Sequence, residues 1–308
     1  MDADRNTAFE VPPGLIHHYL ETSDGRKLHV AEFGSGPILI FIHGWPEFWK
    51  SWLPLVNVLG PHYRCLMPCL YGFGLSDKPE ALRDNVDALF HAQDIALIAD
   101  KLCDQPVTLI GHDIGGYVLQ ALGGRHDALG MNIKGLIFFN CPTSSVGTKW
   151  VEGRHVNEIW YQSFHLTELA QNLVGYNRDT TAIYIRHFLN HWSVKKDCFA
   201  PVFEEWVDNF IAQGALRGGF SWYNSNNEKR LNTLNGKLPP PDQKITLPSA
   251  VLWGRHDPIL KSDWAEFLDD HFEIITYEFA EDSGHFVHVE ETEACANFIE
   301  KTIAKWQR

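Results

Sequence analysis

Asp113 lies where its carboxylate could act as a nucleophile. It follows a short apolar run, residues 107–110 (Val-Thr-Leu-Ile), which is typical of a buried strand. The turn after this run has the sequence Gly-His-Asp-Ile-Gly-Gly, and residues 117–122 beyond it favour a helix. Glycines on both sides of Asp113 permit a tight, strained turn, which would lift the aspartate side chain above the sheet.

An aspartate at this position predicts displacement at a saturated carbon. A carboxylate is ionised at neutral pH, so it needs no base to remove a proton before it attacks. Attack on an ester or amide would give a reactive anhydride, whereas attack on a saturated carbon with a leaving group gives an ordinary alkyl ester. The sequence therefore favours epoxide opening or carbon–halogen cleavage over lipase or protease activity.

A second aspartate and a histidine that could complete such a site both follow predicted strands. Asp257 comes after Gly-Arg-His, and His285 comes after Ser-Gly. We expect His285 to be a general base and Asp257 to orient its ring, in the chain order nucleophile, acid, histidine. Because the chain has 16 histidines, residue type alone is a weak guide, and His288 is the alternative base.

The elements that must position these residues alternate between strands and helices. The predicted strands are residues 38–42, 65–68, 107–110, 133–140, 246–253 and 273–279, after a hairpin over residues 15–33. Helical patterns occupy residues 85–101, 117–122 and 290–306. Such alternation implies a parallel sheet with right-handed crossovers.

Between residues 143 and 240 this alternation stops. The segment is rich in aromatic residues and predicts helices over residues 153–174, 178–191 and 199–213, with Gly/Asn-rich patches and Pro239–241 at its exit. We expect a core domain of residues 1–142 and 241–308, and a helical cap (lid) of residues 143–240 that covers the site. The aromatic side chains of the cap favour a small apolar substrate.

The composition excludes several classes of protein. A net charge of −13 over 308 residues argues against nucleic acid or an anionic membrane as partner. No apolar run approaches the roughly 20 residues that span a bilayer, and the N-terminal residues 1–14 are polar and broken by proline. The six cysteines are scattered, with no CxxC pair. We expect a cytoplasmic monomer or homodimer with free thiols, without metal or cofactor.

Four motifs resemble those of a known family. They are residues 43–47 (His-Gly-Trp-Pro-Glu), 111–116 (Gly-His-Asp-Ile-Gly-Gly), 254–258 (Gly-Arg-His-Asp-Pro) and 284–285 (Gly-His). As a set they resemble the epoxide hydrolases of the α/β-hydrolase superfamily, which are close to the haloalkane and haloacetate dehalogenases. The resemblance implies an α/β fold, with a mostly parallel eight-stranded sheet, helices on both faces and an inserted helical cap.

The resemblance also implies roles for individual residues. The backbone N–H groups of Trp45 and Ile114 would form an oxyanion hole. Tyr161 and Tyr223 match the two cap tyrosines that donate to the epoxide oxygen. An epoxide oxygen leaves as an alkoxide and needs a proton donor, whereas a halide leaves as a stable anion. The side chains expected to line the substrate are Trp45, Ile114, Tyr161, Tyr223, Trp222 and Phe286.

The predicted reaction converts an epoxide and water to a vicinal diol. An alkyl ester would form on Asp113, and water activated by His285 and Asp257 would hydrolyse it. The alternative is a haloalkane or haloacetate dehalogenase with the same nucleophile. Haloacetate dehalogenases, however, carry substrate-binding arginines where this chain has Ile114 and Tyr117. A non-catalytic ligand-binding homologue is a third hypothesis, against which the complete set of acid, base and nucleophile argues.

Two positions depart from the family pattern. Ile114 stands where epoxide hydrolases often have tryptophan, and this change would alter the floor of the pocket. Residues 68–72 stand where the group usually has Pro-Asp-x-Arg-Gly, with Cys69 in place of the aspartate and Tyr71 in place of the arginine.

Overall fold

The structure, a computed structural model, describes residues 8–307 and contains an eight-stranded sheet. The strands lie in the order β1-β2-β4-β3-β5-β6-β7-β8. Their bounds are Ile16–Glu21 (β1), Lys27–Phe33 (β2), Ile38–Ile42 (β3), Arg64–Pro68 (β4), Val107–His112 (β5), Ile133–Phe139 (β6), Ser249–Gly254 (β7) and Ile275–Ala280 (β8). β2 pairs antiparallel with β1 and β4, and the remaining pairs are parallel. The predicted alternating fold is thus confirmed.

Helices cover both faces of this sheet. Those outside the cap are Leu53–Leu59 (α1), Ala88–Leu102 (α2), Ile114–Gly123 (α3), Val287–Glu290 (α10) and Thr292–Trp306 (α11). The two faces can be read from β6, whose successive residues point in opposite directions. A Cβ on Gly135 would meet the ring of Trp306 in α11, whereas the neighbouring Leu136 side chain lies against Gly123 in α3. α3 and α11 therefore lie on opposite faces.

The central strands are apolar on both faces because both are covered by helices. All five residues of β3 and all six of β5 are buried. β5 runs two residues further than predicted, through Gly111 and His112, and α3 begins at Ile114. Asp113 is therefore the single residue between a buried strand and a helix.

The segment between β6 and β7 is helical, as expected, but its helices differ from the prediction. They are Trp160–Phe164 (α4), Glu168–Val174 (α5), Arg178–His191 (α6), Phe203–Ile211 (α7), Ala215–Ser225 (α8) and Asn227–Leu234 (α9). The single helix predicted over residues 153–174 was wrong, since a 3₁₀ segment and two short helices form there. Helices α8 and α9 were not predicted. We keep the name cap for residues 143–240, and its boundaries stay a prediction.

None of the helices within residues 8–307 combines the length and the apolar character needed to cross a membrane.

Candidate active site

Asp113 adopts a strained backbone conformation at the end of β5. Its φ of +50° and ψ of −112° are rare for a residue with a side chain and typically cost about 1–3 kcal/mol. Neighbouring glycines make the turn possible, because a Cβ on Gly115 would lie 2.0 Å from the carbonyl oxygen of Ile42. A Cβ on Gly44 would lie 2.3 Å from the Cβ of Asp113. The expected tight turn therefore forms, and it presses Asp113 against the loop that follows β3.

One carboxylate oxygen of Asp113 is held by that loop. The N–H of Trp45 donates to Oδ1 over 2.8 Å. The N–H of Ile114, the other predicted donor, makes no hydrogen bond to this carboxylate within the described chain, although Ile114 is adjacent and buried. The structure thus brings one of the two predicted donors onto Asp113.

His285 lies between the two aspartates predicted to flank it. Its Nδ1 is 2.8 Å from Oδ2 of Asp257, and its Nε2 is 3.9 Å from Oδ2 of Asp113. The first distance is that of a hydrogen bond, whereas the second is too long for one. The three side chains proposed from separate motifs therefore converge, and the free oxygen of Asp113 faces the free nitrogen of His285.

Asp257 is fixed by hydrogen bonds on both oxygens. The N–H groups of Ile259 and Leu260 donate to Oδ1 over 2.8 and 2.9 Å. Oδ2 accepts from His285 and also from the side-chain amide of Asn140, at 2.5 Å. Four donors thus fix the position of this buried carboxylate. The sequence prediction of Asp257 as the partner of His285 agrees with this geometry.

Asn140 was not predicted as part of the site. It follows β6, has a φ of +54° and is fully buried. Its amide nitrogen also donates to the carbonyl oxygen of His285 (3.0 Å), while its Oδ1 accepts from the N–H of Gly254 (2.8 Å). It therefore joins the loops that carry Asp257 and His285. The sequence signal for this role was an asparagine directly after a buried strand, since asparagine tolerates a positive φ better than most residues.

The charges around His285 favour its protonated form. Burial alone would lower the pKa of His285, but the carboxylates of Asp257 and Asp113 outweigh it and raise that pKa to about 9. Loss of either negative charge would therefore lower the pKa of His285. The imidazole would be a weaker base, and a smaller fraction of it would be protonated at neutral pH.

Glu47 lies beneath these residues at the centre of a buried hydrogen-bond network. Its Oε2 accepts from Nδ1 of His112 (2.7 Å) and from the N–H of Gly44 (3.1 Å), and its Oε1 accepts from Nε2 of His288 (2.8 Å). Nε2 of His112 in turn donates to the carbonyl oxygen of His285 (2.9 Å). The network joins the loops that carry Trp45, Asp113 and His285.

This network consists of groups that could also bind a metal. Within the described residues, Glu47, His112 and His288 are the group whose ligand atoms lie within 4.8 Å of one another. Burial would raise the pKa of Glu47, but the two histidines hold it well below its usual range. Separations of 2.7 and 2.8 Å are hydrogen-bond distances, so we interpret the group as a network. His288, the alternative base, is engaged by Glu47.

The two cap tyrosines pack against each other within electrostatic range of Asp113. Tyr161 in α4 and Tyr223 in α8 are buried, and their ring centroids are 5.6 Å apart. Burial, with the nearby charge of Asp113, raises the pKa of the Tyr161 phenol, and burial with Tyr161 and Asp113 raises that of Tyr223. Both phenols therefore keep their protons at neutral pH and are available as donors toward the nucleophile.

Two glycines explain how α8 comes close enough to present Tyr223. A Cβ on Gly218 would lie 2.0 Å from the carbonyl oxygen of Gly72, and one on Gly219 would lie 2.4 Å from the indole of Trp45. Tyr223 follows Gly219 by one helical turn, and its ring centroid lies 6.1 Å from that of Trp45. Close packing of Gly218 and Gly219 against the core thus sets the position of the Tyr223 phenol.

A third phenol near Asp113 was not predicted as a site residue. Tyr117 lies on α3 one turn after Asp113, and its ring is 6.0 Å from that of Trp222. Burial and the charge of Asp113 raise the pKa of its phenol. The substrate-lining expectation for Phe286 fits less well, because its ring is fully buried against His285 (5.0 Å) and Phe199 (5.0 Å).

The departures at Cys69 and Tyr71 lie on the β2 side of the sheet. The thiol of Cys69 is 3.3 Å from Nδ1 of His29, and the guanidinium of Arg26 is 5.0 Å from the centre of the Tyr71 ring. The Tyr71 ring also lies 5.7 Å from that of Phe90 in α2.

The fold and this arrangement define the class of the protein. Residues 37–292 match the family described as alpha/beta hydrolase fold. The match covers most of the chain, so the chain belongs to the α/β-hydrolase fold family, and it is a hydrolase.

Relatives with assigned names support a narrower group. The chain is 25% identical over 291 residues to epoxide hydrolase 1 of Caenorhabditis elegans, covering 91% of this chain and 69% of that one. It is 27% identical over 288 residues to the soluble epoxide hydrolase of Corynebacterium sp. (strain C12), covering 88% and 92%. The solved structure of the epoxide hydrolase CorEH shares the fold, with a TM-score of 0.79, 23% identity, and coverage of 94% of this chain and 99% of that one. The chain resembles epoxide hydrolases over nearly its whole length.

Proposed function

We propose that the protein is a cofactor-independent epoxide hydrolase that converts a small apolar epoxide and water to a vicinal diol. The observation that carries this proposal is the environment of Asp113. One oxygen accepts from the N–H of Trp45, and the other faces His285 beneath two protonated phenols. The names of the full-length relatives support the same substrate class.

In the first step, Oδ2 of Asp113 attacks a ring carbon of the epoxide. A carbon–oxygen bond forms to the carboxylate while the ring carbon–oxygen bond breaks. Tyr161 and Tyr223 donate hydrogen bonds to the departing oxygen, and one of them transfers its proton, so the product is a hydroxyalkyl ester of Asp113. The Oδ1 atom becomes the ester carbonyl oxygen and keeps the hydrogen bond from Trp45.

After ester formation, the protonated His285 releases its proton, and the tyrosinate takes one up. In the second step the neutral imidazole takes a proton from water, and the resulting hydroxide attacks the carboxyl carbon of Asp113. The negative charge that develops on Oδ1 is stabilised by the N–H of Trp45, and the Ile114 N–H is proposed as the second donor. The bond between the carboxyl carbon and Oδ2 then breaks. The leaving alkoxide takes the O–H proton of the new carboxylic acid, so the diol leaves with the original Oδ2, the carboxylate regains an oxygen from water, and His285 is again protonated.

The apolar surroundings of Asp113 support an epoxide over a haloacid. Tyr117 and Ile114 occupy positions where a haloacetate dehalogenase has arginines, and a phenol and an alkyl chain cannot form a bidentate ion pair with a substrate carboxylate. Paired phenols, by contrast, meet the need of an alkoxide leaving group for a proton.

The ester can be tested with labelled water. In a single turnover of styrene oxide in ¹⁸O-water, the diol should contain no label, and the label should be found in Asp113 by peptide mass spectrometry. His285→Gln should accumulate the ester as a mass increase on the peptide that contains Asp113, and Asp113→Ala should be inactive. Solvent label in the first-turnover diol would exclude the ester. Halide release from chloroacetate without turnover of styrene oxide would instead select the dehalogenase.

We further propose that the protein works in the cytoplasm, as a monomer or homodimer. The side chains of Cys65, Cys69, Cys103, Cys141 and Cys295 are thiols, and all of these except Cys103 are buried, which suits a reducing compartment.

A further inference from the structure

The backbone around His285 is hydrogen-bonded to the cap. The N–H of His285 donates to the carbonyl oxygen of Trp192 over 2.8 Å. Trp192 directly follows α6, so this bond joins the candidate base to a cap segment far away in sequence. The N–H of Gly284, one residue earlier, donates to Oε1 of Glu290 over 2.9 Å.

Glu290 connects the same two segments through its carboxylate. Its Oε2 accepts from the N–H groups of Val194 (2.7 Å) and Lys195 (2.9 Å) in the cap, while its Oε1 holds Gly284. Three backbone donors thus converge on a side chain that is 5% exposed. Burial raises the pKa of Glu290, and these three hydrogen bonds oppose that rise. We call Glu290, Gly284, Val194, Lys195 and Trp192 the Glu290 latch.

The contact between the two segments leaves no room for a side chain at Gly284. A Cβ there would lie 2.3 Å from the carbonyl oxygen of Trp192 and 3.0 Å from the amide nitrogen of Val194. Backbone therefore packs directly on backbone, and the carboxylate of Glu290 satisfies the N–H groups that this contact would otherwise leave buried without partners.

The core holds the rest of His285 independently of the cap. Its carbonyl oxygen accepts from His112 (2.9 Å) and Asn140 (3.0 Å), and its ring is bonded to Asp257 (2.8 Å). The Glu290 latch therefore fixes the position of the cap relative to His285.

Trp192, which belongs to the cap side of the Glu290 latch, packs against the candidate donor Tyr161. The ring centroid of Trp192 lies 5.2 Å from that of Tyr161 and 4.9 Å from that of His285. A shift of residues 192–195 would therefore move Tyr161 relative to the core.

We propose that Glu290 is a positioning residue that aligns the cap phenols with Asp113. This inference rests on the function proposed above. Ester formation needs Tyr161 on the cap and Asp113 on the core in one geometry, so it depends on the latch. Ester hydrolysis uses Asp257, His285 and Trp45, which the core holds, and is largely independent of it.

The test replaces Glu290 with glutamine. Glu290→Gln keeps the shape but puts an NH₂ donor against backbone N–H groups. In pre-steady-state measurements with styrene oxide, we expect ester formation to slow at least about tenfold and ester hydrolysis to change by less than about twofold, since a misplacement of 1 Å typically costs about a hundredfold. Glu293→Gln is the matched control, because this exposed glutamate lies one turn further along the chain.

Other outcomes would overturn the inference. A folded Glu290→Gln enzyme with unchanged ester formation, or one in which both steps slow equally, would show a role in stability alone. Should Glu290→Gln fail to fold by circular dichroism, Glu290→Asp keeps the charge but is one methylene too short to reach both segments, and the same selective loss is expected. Diol formation by the wild-type protein tests the proposed function separately. A wild type inactive on epoxides would refute that function, whereas an active wild type with unchanged ester formation in Glu290→Gln would refute only the role of Glu290.

Discussion

Nε2 of His285 lies 3.9 Å from Oδ2 of Asp113. At this distance the two groups interact through charge without a direct hydrogen bond. The protonation of the proposed base is therefore coupled to the charge of the proposed nucleophile. Forming the ester neutralises Asp113, which removes one of the two carboxylates that hold the pKa of His285 near 9. The imidazolium can then release its proton as the tyrosinate takes one up, so a neutral imidazole is present to accept a proton from water in the second step.

This coupling predicts a specific pH dependence. Below its pKa the imidazole is protonated and cannot act as a base, so ester hydrolysis should slow as the pH falls. The midpoint for the ester should lie below the pKa of about 9 for His285 in the free enzyme. Asp113→Asn imitates the neutral ester and should lower the pKa of His285, followed by NMR, by on the order of one pH unit. An identical titration of His285 in both proteins would contradict the coupling.

The paired phenols should act mainly on ester formation. Replacing both Tyr161 and Tyr223 with phenylalanine should slow that step by at least about a hundredfold, because a positioned general acid contributes roughly 10²–10⁴-fold. Each single variant should lose less, since the remaining phenol can still donate. The rates can be measured by single-turnover kinetics with styrene oxide. Tyr277→Phe is the control, because Tyr277 is exposed on β8. Ester formation at the wild-type rate in the double variant would rule out the phenol roles.

Asn140 should tune the base through Asp257. Asn140→Asp keeps the size of the side chain but places a second carboxylate beside Asp257, where the amide now donates at 2.5 Å. The additional negative charge should raise the pKa of His285, so the pH at which ester hydrolysis reaches half its maximum should increase.

The expected decrease in hydrolysis rate at neutral pH is about tenfold or more, measured in single turnover. Exposed Asn297→Asp is the matched control. If the pH profile of Asn140→Asp equals that of the wild type, Asn140 has no electrostatic influence on His285.

The sequence predicts best those residues that lie directly at the ends of apolar strands. Asp113 and Asp257 follow the buried strands β5 and β7, and His285 follows the edge strand β8. Parallel strands bring such ends to one edge of the sheet. Asn140 occupies the equivalent position after β6, but a lone asparagine carries no motif. Its role depends on bonds to Asp257 and His285 that form only after folding.

The cap was harder to predict for a physical reason. Its aromatic residues face both the core and one another, so the helical period is weak in short aromatic segments such as α4. No helix is predicted over residues 215–225, where Gly218 and Gly219 disfavour one. In the structure they lie inside α8, where the absence of side chains permits contact with Gly72 and Trp45. Tertiary packing here outweighs local preference.

That close packing gives the last prediction. Gly219→Ala would place a Cβ 2.4 Å from the indole of Trp45. The indole is fully buried among the rings of Phe210 and Phe220 and cannot move aside. The helix must shift, and Tyr223, one turn away, must shift with it. Overpacking of this kind typically costs about 1–3 kcal/mol in stability, measurable by chemical unfolding.

The displacement of Tyr223 should also slow ester formation, by about tenfold or more, while ester hydrolysis remains near the wild-type rate because Trp45, Asp257 and His285 lie outside α8. Gly124→Ala is the matched control, since its Cβ would have only an ordinary contact of 3.5 Å with the carbonyl oxygen of Gln120. A Gly219→Ala protein that loses stability but forms the ester at an unchanged rate would show that the contact between Gly219 and Trp45 does not set the position of Tyr223.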